Sequence, residues 1–167
     1  MKKYELTEET VTVYGKTLYR IRAVRDFGSV KTGEFGGYIE KEENLSHFDN
    51  AWVYDDAWVF GNARVCGDAK VYGNARVYDD AWVSGNAEVF NTRHFFVQGP
   101  IGSRNGFITF YRTKDNTVEV RCGCFSGSLQ KFVDRVEETH GGSRYEKEYK
   151  LAAELAKVCI RLEGESR

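Results

Sequence analysis

The sequence predicts a mainly β protein: a short parallel β-helix, preceded by a hairpin cap and followed by a small α+β domain. Residues 50–91 form seven six-residue repeats with no insertion. In each repeat, alanine and valine alternate with large or charged residues, a pattern typical of a strand with one buried face. Every junction between repeats carries Gly, Asn or Asp, which tolerate turn geometry. Short strands and bends that recur at fixed length indicate coils that bury their faces on one another.

The columns of the repeat resemble those of the hexapeptide-repeat proteins. Alanine recurs from Ala51 to Ala87 and valine from Val53 to Val89, always six residues apart. The resemblance implies a left-handed β-helix with three repeats, or 18 residues, in each coil. Outward residues 18 apart would then lie one above another. The predicted stacks are Trp52–Lys70–Glu88, Tyr54–Tyr72–Phe90, Trp58–Arg76 and Arg64–Trp82. These aromatic faces are either ordinary stacked side chains or surfaces covered by another part of the chain or by a second subunit.

Composition and charge argue against several classes of function. The chain has 167 residues, enough for one or two small domains, and a net charge of −1. A protein that binds a nucleic-acid backbone needs a basic surface, so we expect no nucleic-acid partner. The apolar runs are too short to span a membrane, and the N-terminus lacks the apolar core of a signal peptide. We therefore expect a cytosolic protein, with no cofactor and with its four cysteines as free thiols.

Residues 1–43 are predicted to cap the repeats, which then span 44–91. Strand-forming residues at 11–14 and 17–22, joined by Gly15, indicate a hairpin. A cap is needed because the end of a solenoid exposes unpaired strand edges. Residues 44–49 fit the register as an imperfect eighth repeat, with Leu45 in the alanine column and His47 at the valine position. His47 is therefore a candidate ligand or base, or an irregularity at the end of the repeats.

The opening of the chain resembles one branch of the hexapeptide family. Gly36–Glu40, Glu43–Ser46, Ala51–Val53 and the Asn-Ala-Arg-Val repeats are similar to those of the YdcK-like bacterial and prophage proteins. The likeness covers about residues 4–91. It implies the fold and no particular activity, because members are labelled transferases or polymer-forming proteins on the strength of the repeat alone.

Residues 92–167 lack the repeat and are predicted to form an α+β domain. Strands at 107–112 and 118–122 indicate a second hairpin, and a helix is predicted from the apolar spacing between Leu129 and Val136. Ser143 and Glu146 predict a capping box for a final helix. That helix carries two apolar stripes: Tyr145, Tyr149, Ala152, Ala156 and Cys159 form one, and Leu151, Leu155, Val158 and Leu162 form the other. Two stripes predict burial on two sides, against this domain and against the repeats or another subunit.

The C-terminal third resembles an uncharacterised domain found behind hexapeptide repeats in phage and prophage proteins of Gram-positive hosts. The residues that carry this likeness are Ile101–Asn105, Thr109–Tyr111, Cys122–Phe125 and Thr139–Gly141. The resemblance implies a viral or mobile-element setting and brings no established chemistry.

The loop that contains Ser103, Arg104 and Asn105 is the predicted ligand-binding site. Its backbone amides, the Ser103 hydroxyl and the Arg104 guanidinium could converge on an anion, and Arg121 at the far end of the hairpin could face the same place. Arginine is suited to bidentate contacts with carboxylates and phosphates. The alternative is an ordinary polar loop with no ligand.

Cys122 and Cys124, together with His94 and His140, are nominally four metal ligands. Structural zinc sites use wider cysteine spacing and a second close pair, which this sequence lacks. A cysteine nucleophile paired with His140 would need a third orienting group and a pocket, neither of which is visible in the sequence. We predict buried thiols and no metal site.

These observations favour a non-catalytic, homo-oligomeric binding protein of phage or prophage type. One specific hypothesis is a counter-defence protein that sequesters a small, anionic, nucleotide-like host molecule. A host protein as the binding partner, as in a protein–protein inhibitor, and a structural scaffold are alternatives. The enzyme alternative is an acyltransferase of the hexapeptide class, in which His47 or His94 would be the weak candidate for the catalytic histidine. Residues 50–91 contain neither a histidine nor an inserted loop, which disfavours this alternative.

Overall fold

The structure is a computed structural model that describes residues 1–164, and its chain begins with an antiparallel hairpin. Strands β1 (Tyr4–Val13) and β2 (Lys16–Ala23) pair through a turn at Tyr14 and Gly15. Both turn residues have positive φ angles, 49° and 76°, as a tight hairpin turn requires. The hairpin is therefore confirmed, and its first strand begins seven residues earlier than the sequence indicated.

A third strand, β3 (Phe35–Ile39), joins the hairpin to the repeats and was not predicted. It pairs antiparallel with β2 and lies against the repeat backbone. A Cβ atom on Gly36 would lie 2.5 Å from the Val53 carbonyl oxygen, and one on Gly37 would lie 2.5 Å from the Ala57 carbonyl oxygen. Glycine is therefore required here by close packing, although its low strand propensity argued for a loop.

Each of the seven repeats contributes a strand of two residues. These strands are β4 (Trp52–Val53), β5 (Trp58–Val59), β6 (Arg64–Val65), β7 (Lys70–Val71), β8 (Arg76–Val77), β9 (Trp82–Val83) and β10 (Glu88–Val89). They pair in parallel with the strand 18 residues away, for example Trp58 with Arg76 and Arg64 with Trp82. The predicted 18-residue stacking is therefore confirmed. The alanine and valine columns are buried throughout.

The C-terminal third contains one sheet and two helices. Strands β11 (Phe95–Ile101), β12 (Gly106–Arg112), β13 (Val118–Cys122) and β14 (Phe125–Ser128) form an antiparallel sheet in chain order. Helices α1 (Leu129–His140) and α2 (Arg144–Cys159) follow and pack on this sheet. On β12, the Thr109 hydroxyl oxygen accepts a hydrogen bond of 2.9 Å from the backbone N–H of Trp82. The sheet therefore contacts the repeats directly.

A single left-handed parallel β-helix is not the architecture of this protein, and that prediction is wrong. Within residues 1–164, the strands lie in four separate sheets, ordered β1-β2-β3-β5-β8, β10-β7-β4, β6-β9 and β11-β12-β13-β14, and none of these sheets is closed. Each repeat supplies only two strand residues before the next turn, so each face of the repeats has its own short parallel sheet. One of the sheets formed by the repeats also includes the N-terminal hairpin, because β3 pairs with β5. The fold is mainly strands in several separate sheets.

The N-terminal residues share a core with the repeats. Trp52 has no exposed surface, because Tyr4 packs on it at 6.1 Å between ring centroids and Phe27 at 5.1 Å. Of the two alternatives for the aromatic faces, cover by another part of the chain applies to this tryptophan. Within residues 1–164, no helix is both long and apolar enough to cross a membrane.

Two local predictions are wrong. Leu45 forms a β-bridge with Val65, which is two residues beyond the partner that the repeat register predicts. The cause is the Asn44 side chain, which turns inward and donates to the Ala63 carbonyl oxygen at 2.8 Å. The valine position of an eighth repeat is therefore not occupied by His47. At the start of α2, the Ser143 hydroxyl donates to the His140 carbonyl oxygen at 2.6 Å and makes no capping bond, so the capping box is absent.

Candidate ligand-binding cleft

A cleft of about 960 Å³ lies where the repeats meet the C-terminal third. Its first wall includes Arg64 and Trp82 from the repeats. Its second wall includes the turn between β11 and β12, the turn between β13 and β14, and the end of α1. These segments are far apart in sequence, and the contact between β12 and β9 brings them together.

Trp82 is flanked by two arginines within the cleft. The Arg121 guanidinium carbon lies 3.8 Å from the centroid of the indole ring, and that of Arg64 lies 5.8 Å from it. The indole N–H donates to the Cys66 sulfur at 3.2 Å, which fixes the orientation of the ring. The Nε atom of Arg121 is buried and has no hydrogen-bond partner within residues 1–164. This arginine is thus held by the aromatic ring, and its donors are not used by a carboxylate.

The turn at Gly102–Asn105 is held in place by α2. Gly102 and Asn105 have φ angles of 78° and 50°, and the Asn105 N–H donates to the Gly102 carbonyl oxygen at 3.3 Å. The Gly102 N–H donates to Glu148 at 2.8 Å, and the Tyr149 hydroxyl occupies the space where a Cβ atom would project from Gly102. The Gly102 amide is therefore already used. The groups that the turn offers to a ligand are the side chains of Ser103 and Arg104, both of which line the cleft.

The structure brings together three of the four predicted ligand-binding residues. Ser103, Arg104 and Arg121 line the same cleft. Asn105 is exposed, adopts the left-handed conformation that closes the turn, and does not line the cleft.

Sequence reasoning missed Arg64 and Arg135 as site residues, and it also missed Phe107. The stacking of Arg64 on Trp82 was visible in the repeat, but nothing in the sequence linked that face to the C-terminal third. Arg135 lies on α1, with its guanidinium carbon 5.9 Å from the Phe125 ring centroid. Phe107 is an exposed ring at the start of β12.

The cleft is electropositive although the whole chain is slightly acidic. Its lining contains the cations Lys41, Arg64, Arg104, Arg121 and Arg135, and the acids Glu43 and Asp80. The Asp80 carboxylate accepts a hydrogen bond from Asn62 at 3.2 Å. Within residues 1–164, none of the four cleft arginines takes part in an ion pair, since the salt bridges of that range involve other residues. The four guanidinium groups of the cleft thus have no anionic partner among the described residues.

Cys122 is half-buried and Cys124 is exposed, so the prediction of buried thiols is wrong for Cys124. Burial raises the pKa of the Cys122 thiol, which disfavours the reactive thiolate. The ring of His140 packs against Tyr145 and Tyr149, with centroids 5.8 and 5.6 Å away. Among residues 1–164, no cluster of three or more His, Cys, Asp or Glu side chains could hold a metal ion.

The two histidines weighed for catalysis lie outside the cleft and have structural contacts. His47 stacks on Tyr4 with ring centroids 4.2 Å apart, and its Nδ1 atom accepts a hydrogen bond from the Lys3 N–H at 3.1 Å. His94 is buried, and its Nδ1 atom accepts a hydrogen bond from the Phe90 N–H at 3.3 Å.

Residues 69–85 match the family model described as the YdcK beta solenoid repeat. This match supports a β-solenoid family for the repeat segment, and so the repeat resemblance predicted from the sequence is confirmed at that coarser level. It covers a short part of the chain and does not extend to residues 92–167. No curated protein matches the chain.

Proposed function

We propose that this protein binds and sequesters a small, anionic, nucleotide-like molecule in the cytoplasm of a bacterial host. The observation that carries the proposal is the set of four cleft arginines that lack a carboxylate partner within residues 1–164. A guanidinium group binds a phosphate through two parallel hydrogen bonds and is favoured for that role. Exposed aromatic rings beside the arginines, such as Phe107, suit the flat face of a nucleobase.

A phage or prophage setting is part of the proposal. It rests on the likeness of residues 92–167 to domains of phage proteins, and in that setting the bound molecule would be a host nucleotide used in defence. A sequestering protein needs an accessible site and tight binding, and it needs no catalytic group. His47 stacks on Tyr4, and His94 accepts a hydrogen bond from the Phe90 N–H. Both histidines therefore have a structural role, which favours binding over the acyltransferase alternative.

A thermal-shift panel of nucleotides tests the proposal. A ligand present at about 100 times its Kd raises the free energy of unfolding by about 2.7 kcal/mol, which corresponds to roughly 5–10 °C for a protein of this size. We expect a nucleotide to produce such a shift in the wild type and in Arg76→Gln, and a much smaller shift in Arg121→Gln. Arg76 is a matched control because it stacks on Trp58 at 4.3 Å, on another face of the repeats. If no nucleotide raises the melting temperature of the wild type, or if a nucleotide raises that of Arg121→Gln equally, the proposal fails.

We also propose that the protein is a homodimer in which the exposed faces of two α2 helices pack antiparallel. Leu151 and Val158 on this face are 70% and 69% exposed, and Leu155 lies between them, one helical turn from each. In an antiparallel pair, Leu151 of one copy would pack on Val158 of the other. The face is therefore complementary to a second copy of itself.

A further inference from the structure

We infer that the ligand of the cleft carries a guanine base and that the Asp80 carboxylate accepts hydrogen bonds from the edge of this base. The inference rests on the proposed function and narrows its ligand to guanine nucleotides. Three observations carry it: a carboxylate without an ion pair in an arginine-lined cleft, the hydrogen bond that orients this carboxylate, and its position beside the arginines.

Asp80 is an unusual residue for a cleft that binds anions. It is half-buried and lines the cleft together with the four arginines, and within residues 1–164 it takes part in no ion pair. Its charge therefore repels the phosphate of a nucleotide. A carboxylate at such a place favours binding only where it accepts hydrogen bonds from an uncharged part of the ligand, and in a nucleotide the base can supply them.

A hydrogen bond from Asn62 orients the Asp80 carboxylate. The Asn62 side-chain amide donates to Oδ1 of Asp80 at 3.2 Å, and both residues line the cleft. They are 18 residues apart, which is the spacing of the paired strands β6 and β9. Oδ2 of Asp80 has no hydrogen-bond partner among the described residues. Because each carboxylate oxygen can accept two hydrogen bonds, both oxygens are available to a ligand.

The same hydrogen bond occurs at a turn of the repeats outside the cleft. The Asn50 side-chain amide donates to Oδ1 of Asp68 at 3.0 Å, and neither of these residues lines the cleft. The Asn–Asp pair is thus part of how the repeats stack, and what distinguishes Asp80 is its place among the arginines. Asp68 is therefore a matched control, because it has the same side chain and the same kind of partner.

Asp80 lies within reach of a ligand that contacts the cleft arginines. It precedes Trp82 by two residues in the same repeat, so their Cα atoms are at most about 7 Å apart. The guanidinium carbon of Arg121 lies 3.8 Å from the centroid of the Trp82 ring, and that of Arg64 lies 5.8 Å from it. A nucleotide carries its phosphate one sugar away from its base, so one small ligand can contact this carboxylate and an arginine of the cleft.

Guanine is the base whose edge complements a carboxylate. Its N1–H and its N2 amino group are adjacent donors, and the two oxygens of a carboxylate can accept both, in the parallel arrangement that they form with arginine. In adenine and cytosine, a ring nitrogen with a lone pair lies beside the amino group and would face one carboxylate oxygen. Uracil has one N–H between two carbonyl oxygens. A site that accepts two hydrogen bonds discriminates against bases that cannot donate both.

Isothermal titration calorimetry with a set of nucleoside monophosphates tests the inference. The probes are GMP, AMP, CMP, IMP, which is GMP without the N2 amino group, and dGMP, which lacks the ribose 2′-hydroxyl. We expect GMP and dGMP to bind at least about tenfold more tightly than AMP and CMP, because a bidentate contact discriminates between bases to that extent, and IMP to have intermediate affinity. If AMP or CMP binds as tightly as GMP, the proposed function stands and this inference is overturned. If none of the probes binds, both are overturned.

The variant Asp80→Asn isolates the contribution of the carboxylate. The amide keeps an oxygen for the hydrogen bond from Asn62 and replaces the other acceptor with a donor, so the repeats stay intact while the complement to guanine is lost. We expect Asp80→Asn to bind GMP and AMP with similar affinity, and Asp68→Asn to keep the preference of the wild type for GMP. A preference that survives in Asp80→Asn, or that is lost equally in Asp68→Asn, would overturn the inference.

Two further results distinguish base recognition by Asp80 from other arrangements in the cleft. Glu43, the other acid of the lining, is exposed, and its side chain makes no hydrogen bond within residues 1–164. We expect Glu43→Gln to keep the preference for GMP, and loss of the preference in this variant would overturn the assignment to Asp80. If Asp80→Asn instead removes a preference for GMP over dGMP, the carboxylate binds the ribose, and the inference is overturned as well.

Discussion

His94 shows how a residue that resembled a catalytic candidate in the sequence is committed to structure. It lies just after the last repeat, where its ring packs on Phe90 at 4.3 Å between centroids. Burial, and then the charge of Arg112, lowers its pKa from 6.5 to about 4. The neutral ring is the form that can accept the hydrogen bond from the Phe90 N–H, so the low pKa and the hydrogen bond favour the same state.

The low pKa of His94 predicts a pH dependence of stability. Below about pH 6.5 the unfolded chain protonates this histidine, whereas the folded chain keeps it neutral down to about pH 4. The free energy of unfolding should therefore fall as the pH drops through this window, by an amount on the order of 2–3 kcal/mol from this residue. Urea unfolding at several pH values checks this in the wild type and in His94→Asn, whose amide oxygen replaces the acceptor.

Carboxylates titrate in the same pH range in both proteins. The difference in the free energy of unfolding between the wild type and His94→Asn therefore reports on His94 alone. We expect the stability of His94→Asn relative to the wild type to improve steadily from pH 7 to pH 4. Parallel pH profiles would show that the histidine is protonated in the folded protein and would contradict the low pKa.

Individual residues differ in how far the sequence could place them. Ser103, Arg104 and Arg121 were predicted from arginine's phosphate chemistry and a plausible loop, and they line one cleft. His47 was placed by extending the repeat register, which fails because the Asn44 side chain turns inward and shifts the bridge of Leu45 by two residues. A periodic pattern predicts positions inside a repeat and says little about how a repeat begins.

Secondary-structure elements were predictable where one local pattern decided them. The 18-residue pairing follows from alternation and turn residues that recur without a break, and the first hairpin follows from its turn. Strand β3 was missed because Gly36 and Gly37 disfavour a strand locally, and tertiary packing against the repeat backbone overrides that preference. The arrangement in separate sheets was missed because the period of a repeat does not show which strands share a sheet or that β3 joins one of them.

The exposed face of helix α2 leads to a testable prediction about dimerisation. Leu151→Glu with Val158→Glu should convert the proposed dimer into a monomer, because four carboxylates would meet at the antiparallel interface. Sedimentation equilibrium measures the change. Lys157→Glu is the matched control, because Lys157 is an exposed residue of the same helix that lies roughly 100° round the helix from Val158, away from the proposed interface. A wild type that is monomeric at micromolar concentration, or a double variant that stays dimeric, would contradict this arrangement.

At the scale of the whole molecule, the cleft exists because two differently built halves meet. The repeats supply Arg64 and Trp82, and the C-terminal third supplies Arg104, Arg121 and Arg135. Neither half carries the full set, so inspection of either segment alone could not reveal the site. The two halves are joined by the hydrogen bond between the Thr109 hydroxyl and the backbone N–H of Trp82. These residues are 27 apart in the sequence, and no periodic pattern predicts that they meet.

The central claim is that this cleft holds a phosphorylated small molecule. Native mass spectrometry of the protein purified from a bacterial host, followed by denaturation and analysis of what is released, tests it most directly. We predict that the wild type and Arg76→Gln release the same phosphorylated compound in near-stoichiometric amount, and that Arg121→Gln releases little of it. Wild-type protein that releases nothing even after incubation with host extract, or equal release from Arg121→Gln, would contradict the claim.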